Sequence, residues 1–163
     1  MLKKSAIIVI MLLVLSSSAY AVVYSNNLRE LLGSLTGLKD QYNANIEKVP
    51  NWAKSLLEEE KFNLTFIMED SSAINIGIIL KDGKIVDMRQ GRLKKPTVSV
   101  IVTEKEFTQL MEVKGYQTRL KLVQTLYDTN KINYVFTSLR SKIKFGTASK
   151  ALGVYNSVTG EDG

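Results

Sequence analysis

The sequence predicts an α/β domain of the α+β type, in which a mostly antiparallel sheet of about five strands is backed by helices and preceded by N-terminal helices. Two observations lead to this class. In several short runs apolar and polar residues alternate, as they do in strands that bury one face. In the flanking segments apolar residues recur three and four positions apart, as they do in helices that bury one stripe. With 163 residues, the chain has the size of one domain.

Residues 1–21 have the features of a secretory signal peptide. Lys3 and Lys4 precede a short apolar run, and Ala19 and Ala21 form a small-x-small cleavage site. We expect cleavage after Ala21 and export of the mature chain to the cell envelope or the extracellular space. The alternative is an uncleaved leader that anchors the chain as one N-terminal transmembrane helix, although its apolar run is shorter than the roughly 20 residues that a spanning helix needs.

Residues 22–50 are predicted to form an amphipathic helical arm. Such an arm could pack on the domain or connect it to the membrane. Some of its apolar residues recur every seven positions, which also fits the contact stripe of a coiled coil. Pro50 then begins a second helix, because a proline at the first helical position loses no backbone hydrogen bond. The apolar residues at helical spacing in the arm are Leu28, Leu31, Leu32, Leu35, Leu38, Tyr42, Ile46 and Val49.

Four strands are expected next, in an antiparallel meander, because the loops between them are short. Asp82 and Gly83 give the strongest turn signal, because both positions of such a hairpin turn need positive φ. Asn63 begins an N-glycosylation sequon, "NLT", and the alternation places it on the wet face of its strand, where it would be accessible. The alternating runs cover residues 62–68, 74–80, 85–88 and 98–102.

Helices are predicted after the fourth strand. Thr103 to Glu106 is a capping box, in which the Thr hydroxyl accepts a hydrogen bond from the third helical N–H and Glu106 reaches back. A longer helix begins after Gly115. Residues 132–139 fit either a strand or a helix. A last strand at 141–146 and a short terminal helix follow, and the tail, 157–163, is expected to be disordered.

The composition argues against an enzyme. The chain contains no Cys and no His, which removes thiol nucleophiles, the commonest general base and the usual zinc ligands. The carboxylates of residues 58–60 have no second acidic cluster facing them, and there is no glycine-rich phosphate loop. We therefore expect no catalytic residue, no bound metal and no cofactor.

The net charge of +6 is mild. It favours contact with a membrane surface or with anionic headgroups, and it does not by itself indicate a nucleic acid as a partner. Clusters of basic residues more often serve to solvate exposed loops and strand faces than to form a site. The densest basic group consists of Arg89, Arg92, Lys94 and Lys95.

The order of features from the hairpin onward resembles the sterol carrier protein type 2 family. The features are a hairpin closed by "DGKI", a Pro-led strand "KPTVSVIVT", a capped helix "EKEFTQLME", and a late "SKIKFG" followed by "ASKAL". The resemblance covers about residues 51–154, within a domain of residues 51–156. It implies a curved, sterol-carrier-like sheet backed by helices, with an apolar tunnel between them that holds a lipid.

The resemblance therefore implies a non-enzymatic domain that binds a lipid or another long apolar molecule, and the leader predicts that this domain is exported. The sequence alone does not distinguish a hollow core from a filled one, and the oligomeric state stays open. The alternative function is an envelope-associated interaction or scaffold module that uses the N-terminal arm. The residues expected to contact an apolar ligand are Ile76, Ile78, Phe107, Leu110, Met111, Leu120, Val123, Phe136 and Leu139.

Overall fold

The structure is a computed structural model that describes residues 30, 34–48, 54–55, 57–113 and 116–137. The leader, part of the arm (22–29, 31–33 and 49–50), the start of the helix at Pro50, the last predicted strand, the terminal helix and the tail lie outside these residues. The described elements are α1 (Leu35–Asn45), a 3-10 turn (Ile46–Lys48), β1 (Lys61–Ile67), β2 (Ala73–Lys81), β3 (Lys84–Gln90), β4 (Val98–Thr103), α2 (Glu104–Glu112), α3 (Tyr116–Asp128) and β5 (Ile132–Phe136).

The described strands form one sheet in the order β3-β2-β1-β4-β5. The neighbouring strands run antiparallel except for β1 and β4, which are parallel. The prediction of a mostly antiparallel sheet is therefore confirmed, and the ambiguous segment after α3 begins as a strand. The predicted four-strand meander is wrong, because β4 does not pair with β3 but lies on the far side of β1.

The connection between β3 and β4 explains this error. Residues 91–97 can span up to about 23 Å when extended, and three strand spacings amount to about 14 Å. The segment is thus long enough to cross β2 and β1 and to place β4 beyond them. The expectation of short hairpin loops does not hold for this connection.

The hairpin between β2 and β3 forms as the sequence predicts. Asp82 and Gly83 have φ angles of 52° and 76°, so both turn residues lie in the left-handed region that this turn requires. Farther along, the register passes from the Ile79–Asp87 pair to the Leu80–Ile85 pair. Val86 is the extra residue of this β-bulge.

One apolar core lies between the inner face of the sheet and the three helices. The apolar stripes predicted for α1 and for the helices after β4 face this core. The predicted orientation of these helices is therefore confirmed for the side chains that the structure describes. Within the described residues, no helix is long and apolar enough to cross a membrane. The helical members of the core are Leu38 and Tyr42 from α1, Phe107 and Leu110 from α2, and Val123 and Leu126 from α3.

Residues 91–97, the crossing segment, cover part of the outer face of the sheet. Leu93 is buried and lies directly above Gly77 of β2. A Cβ atom at Gly77 would come within 2.6 Å of Leu93 Cγ and 3.3 Å of the Gly91 carbonyl oxygen. Only glycine leaves room for the segment to pass this close to the strand.

Asn63 of β1 binds the crossing segment. The Leu93 N–H donates to Asn63 Oδ1 at 2.7 Å, and Asn63 Nδ2 donates to the Leu93 carbonyl at 3.2 Å. Asn63 is therefore only 3% exposed, and the prediction that it lies on a wet face is wrong. Glycosylation at Asn63 would require Nδ2 to leave this pair.

We expect Asn63→Ala to lower the free energy of unfolding by about 1–3 kcal/mol, because it leaves the buried N–H and C=O of Leu93 without partners. Urea denaturation measures the change. Asn133→Ala is the matched control, since Asn133 is exposed and makes one long bond, at 3.5 Å, to the Asn130 carbonyl. Equal losses in the two variants would contradict this account of Asn63.

A mutant cycle tests the packing of Leu93 on Gly77. We expect Gly77→Ala to cost about 1–3 kcal/mol, because the new methyl group overlaps the Leu93 side chain. The same substitution should cost clearly less in a Leu93→Ala background, where the overlap is removed. Strictly additive costs in denaturation experiments would show that the two positions do not interact.

Candidate ligand-binding site

Rows of apolar side chains run across the inner face of the sheet. The first row pairs Ile132, Val102, Phe66 and Ile74; the second pairs Val100, Leu64 and Ile76; the third pairs Phe136, Val98, Phe62, Ile78 and Met88. Two of the predicted ligand contacts, Ile76 and Ile78, therefore lie in adjacent rows. The third row spans all five described strands.

The rows are fully buried at their centres, and the third row is half-buried at both ends, whereas Ile132 at one end of the first row and both ends of the second row are buried. Phe62, Val98 and Ile78 are at most 1% exposed, whereas Phe136 and Met88 at the two ends of the same row are only partly buried. Ile74, at the end of the first row, is also partly buried. The apolar surface is thus continuous from the centre of the core to positions that solvent reaches.

Helix α2 covers the β1 and β4 side of this face. It begins at a cap in which Thr103 Oγ1 accepts a hydrogen bond from the Glu106 N–H at 3.3 Å, as the sequence predicts. The Phe107 ring meets the Phe66 ring edge to face, with centroids 5.1 Å apart and planes at 82°. This is a favoured aromatic geometry, and it fixes Phe107 against the centre of the sheet. Leu110 is buried one turn farther along α2.

Helix α3 reaches the same core with Val123 and Leu126, both of which are buried. The helix ends in a turn where the Lys131 N–H donates to the Leu126 carbonyl at 2.8 Å and Asn130 has positive φ. This turn leads directly into β5. As a result, α3 lies beside the strand that ends in Phe136.

The structure brings most of the predicted contacts together. Ile76, Ile78, Phe107, Leu110 and Val123 belong to one buried cluster, and Phe136 packs against it. The side chains of Met111 and Leu120, and the whole of Leu139, lie outside the described part of the chain. Ligand contact by these residues stays a prediction.

The predicted set missed the contribution of β1. Phe62, Leu64 and Phe66 form the middle of all three rows. The alternation in β1 had indicated that these residues face inward. Their central position depends on the pairing of β1 with β4, which the sequence did not indicate.

Helix α1 forms the wall above β3. The Asn43 amide pairs with the backbone of Ile85, donating to its carbonyl and accepting from its N–H, both at 2.9 Å. Tyr42 Oη donates to the Gly83 carbonyl at 2.5 Å. The helical spacing of the arm marks Tyr42 only as a member of an apolar stripe, and nothing in the sequence pattern marks Asn43 as a backbone partner.

The Tyr42 hydroxyl is deeply buried. Burial raises the pKa of Tyr42 well above its usual range, because the phenolate would lose its hydration there. The group is therefore a neutral donor throughout the physiological pH range. The bond to Gly83 fixes α1 at the turn between β2 and β3.

We expect Tyr42→Phe to lower the free energy of unfolding by about 1 kcal/mol at neutral pH, because the Gly83 carbonyl loses its donor. The raised pKa of folded Tyr42 adds a pH dependence. Above about pH 10 the unfolded tyrosine ionises while the folded one stays protonated, so the wild-type chain loses stability there that Tyr42→Phe does not lose. The stability gap should shrink as the pH rises.

Asn43→Ala is the control for this titration, because it also releases α1 from β3 but removes no ionisable group. Its stability deficit should stay constant between pH 7 and pH 11 in urea denaturation. A Tyr42→Phe deficit that is equally constant would contradict the role assigned to the buried hydroxyl.

Comparison with solved structures finds similar chains at low sequence identity. The chain is similar to a UbiJ-SCP2 ubiquinone synthesis protein, with 12% identity, a TM-score of 0.45, and coverage of 78% of this chain and 96% of that one. It is similar to sterol carrier protein 2 like 2 from Aedes aegypti, with 15% identity, a TM-score of 0.46, and coverage of 72% and 97%.

A third similar structure is apo sterol carrier protein 2 from Yarrowia lipolytica, with 14% identity, a TM-score of 0.43, and coverage of 67% and 92%. No protein-family model matches the sequence, and no curated protein matches it either.

Proposed function

We propose that this chain binds a long apolar molecule, such as a lipid, between the inner face of its sheet and the helices, and that it does so without catalysis. One observation carries the proposal. The row from Phe136 to Met88 is apolar across five strands, or about 19 Å, and is half-buried at both ends. An extended acyl chain has dimensions of this order.

Binding would be a partition from water into the core. Each buried methylene group contributes about 0.8 kcal/mol, so ten of them supply about 8 kcal/mol against the cost of immobilising the ligand. This gain needs no specific polar contact. The chemistry of the inner face, which is made of Ile, Leu, Val, Phe and Met side chains, fits such a ligand.

Helix α3 is the element that we expect to move to admit the ligand. Its described side chains that face the core, Val123, Leu126 and the half-buried Leu122, are apolar. Apolar contacts have no preferred direction, so separation of α3 from the sheet at these three side chains breaks no directional contact. By contrast, α1 is attached to β3 by the side chains of Tyr42 and Asn43.

Two further parts of the proposal rest mainly on the sequence. The leader, with its cleavage site at Ala19 and Ala21, supports export, so that the ligand would be bound outside the cytoplasm. The exposed Arg92, Lys94 and Lys95 on the crossing segment support contact with anionic headgroups. The bonds between Asn63 and Leu93 hold the crossing segment, and with it these three charges, on the outer side of the sheet.

Val123→Phe tests whether a ligand occupies the space beneath α3. We expect the larger ring to lower the affinity for a long-chain ligand about tenfold or more, because it fills the volume that the ligand needs. Displacement of a fluorescent apolar probe measures the affinity, and native mass spectrometry of gently purified wild-type protein identifies any lipid that stays bound. Val86→Phe is the matched control, because Val86 is 51% exposed on β3.

Urea denaturation of both variants separates a hollow core from a filled one. In a filled core, Val123→Phe should cost about 1–3 kcal/mol and the wild-type protein should bind no probe. That combination of results would refute the proposed function. Val86→Phe should leave both the affinity and the free energy of unfolding unchanged.

A further inference from the structure

Glu106 is a buried carboxylate on the inner side of α2. The residue is only 7% exposed. Its Oε2 atom is buried and has no hydrogen-bond partner in the part of the chain that the structure describes. A buried polar atom without a partner is costly, and native proteins contain few of them.

The start of the helix does not account for this oxygen. The Glu106 N–H is satisfied by Thr103 Oγ1, and a negative charge in the first turn is favourable in general. In the capping box that the sequence predicts, Glu106 reaches back to the chain before the helix, but Oε2 makes no such bond. Glu104 provides the contrast, because its Oε2 accepts a hydrogen bond from the Glu69 N–H at 3.0 Å.

The position of Glu106 connects it with the proposed ligand site. Residues four apart lie on the same face of a helix, so Glu106 shares its face of α2 with the buried Leu110. The next residue, Phe107, packs on Phe66 in the first row of the inner face. Glu106 thus lies where β4 passes into α2, at the end of the apolar surface.

We propose that Glu106 is the polar anchor of the bound molecule and accepts a hydrogen bond from its head group. This inference rests on the proposed function and specifies the ligand class. The ligand is a long apolar chain that ends in a hydrogen-bond donor, either a hydroxyl or an ammonium group. A fatty acid or a phosphate ester is disfavoured, because its anionic head would face the Glu106 carboxylate.

Three probes of equal chain length test the inference with the full chain. Hexadecanol, hexadecylamine and hexadecanoic acid are compared as competitors for one fluorescent apolar probe. We expect the wild-type protein to bind the alcohol and the amine about tenfold or more tightly than the acid, because a hydrogen bond to a charged acceptor is worth about 1.5–3 kcal/mol. Glu106→Leu should abolish this preference and retain binding of the chain.

Glu106→Gln and Glu112→Gln complete the set. Glu106→Gln should weaken binding of the amine and strengthen binding of the acid, because it removes the charge and adds an N–H donor. Glu112 lies on the same helix and is exposed, so Glu112→Gln should leave all three affinities unchanged. Glu106→Leu should unfold at the same temperature as the wild-type protein or at a higher one, because it removes an unpartnered buried carboxylate oxygen.

The possible results separate this inference from the proposed function. Equal binding of the three probes by the wild-type protein would refute the role of Glu106 and leave apolar binding intact. Clear destabilisation by Glu106→Leu with the head-group preference unchanged would assign Glu106 to the fold alone and would also refute the anchor. Failure of all three probes to bind would refute the proposed function together with the inference.

Discussion

The paired hydrogen bonds between Asn63 and the backbone of Leu93 attach the segment that crosses the outer face of the sheet. This segment has to pass over β2 and β1 before β4 can join the sheet beyond them. Gly77 provides the necessary space beneath it, and the Asn63 amide supplies the partners that the buried Leu93 backbone would otherwise lack. The parallel pairing of β1 with β4 follows from this path. As a result β1, rather than the β2–β3 hairpin, is the centre of the sheet.

A central β1 determines the shape of the inner face. Its three inward side chains, Phe62, Leu64 and Phe66, join the rows of β2 to the rows of β4, and Phe66 provides the contact for Phe107. A chain without cysteine has no disulfide bond to fix such an arrangement. Two asparagine side chains fix the arrangement instead. Asn63 and Asn43 each pair with both backbone groups of a distant residue, much as a neighbouring strand would.

The sequence predicted the local structure well, because local structure depends on local chemistry. The positive φ at Asp82 and Gly83, the cap at Thr103 and the inward alternation of β2 all follow from a few adjacent residues. The path of the crossing segment and the burial of Asn63 could not be predicted in this way. Alternation indicates which residues share a face of a strand, but it does not indicate what covers that face.

The candidate site likewise has a part that the sequence could predict and a part that it could not. Ile76, Ile78, Phe107, Leu110 and Val123 could be predicted as inward-facing from their spacing, and they lie in one cluster. The middle of that cluster was missed because it depends on which strands are neighbours. Glu106 was recognised as part of a capping pattern, yet its burial and its unpartnered oxygen depend on how α2 packs on the sheet.

The pairing of Asn43 with Ile85 also affects how the chain behaves among other copies of itself. In the described sheet β3 is an outer strand, and an outer strand with free backbone groups can pair with a strand of another molecule and begin aggregation. The Asn43 amide occupies the N–H and C=O of Ile85, and the bulge at Val86 interrupts the regular spacing next to it. The contacts that attach α1 thus also make this edge a poor partner for further strands.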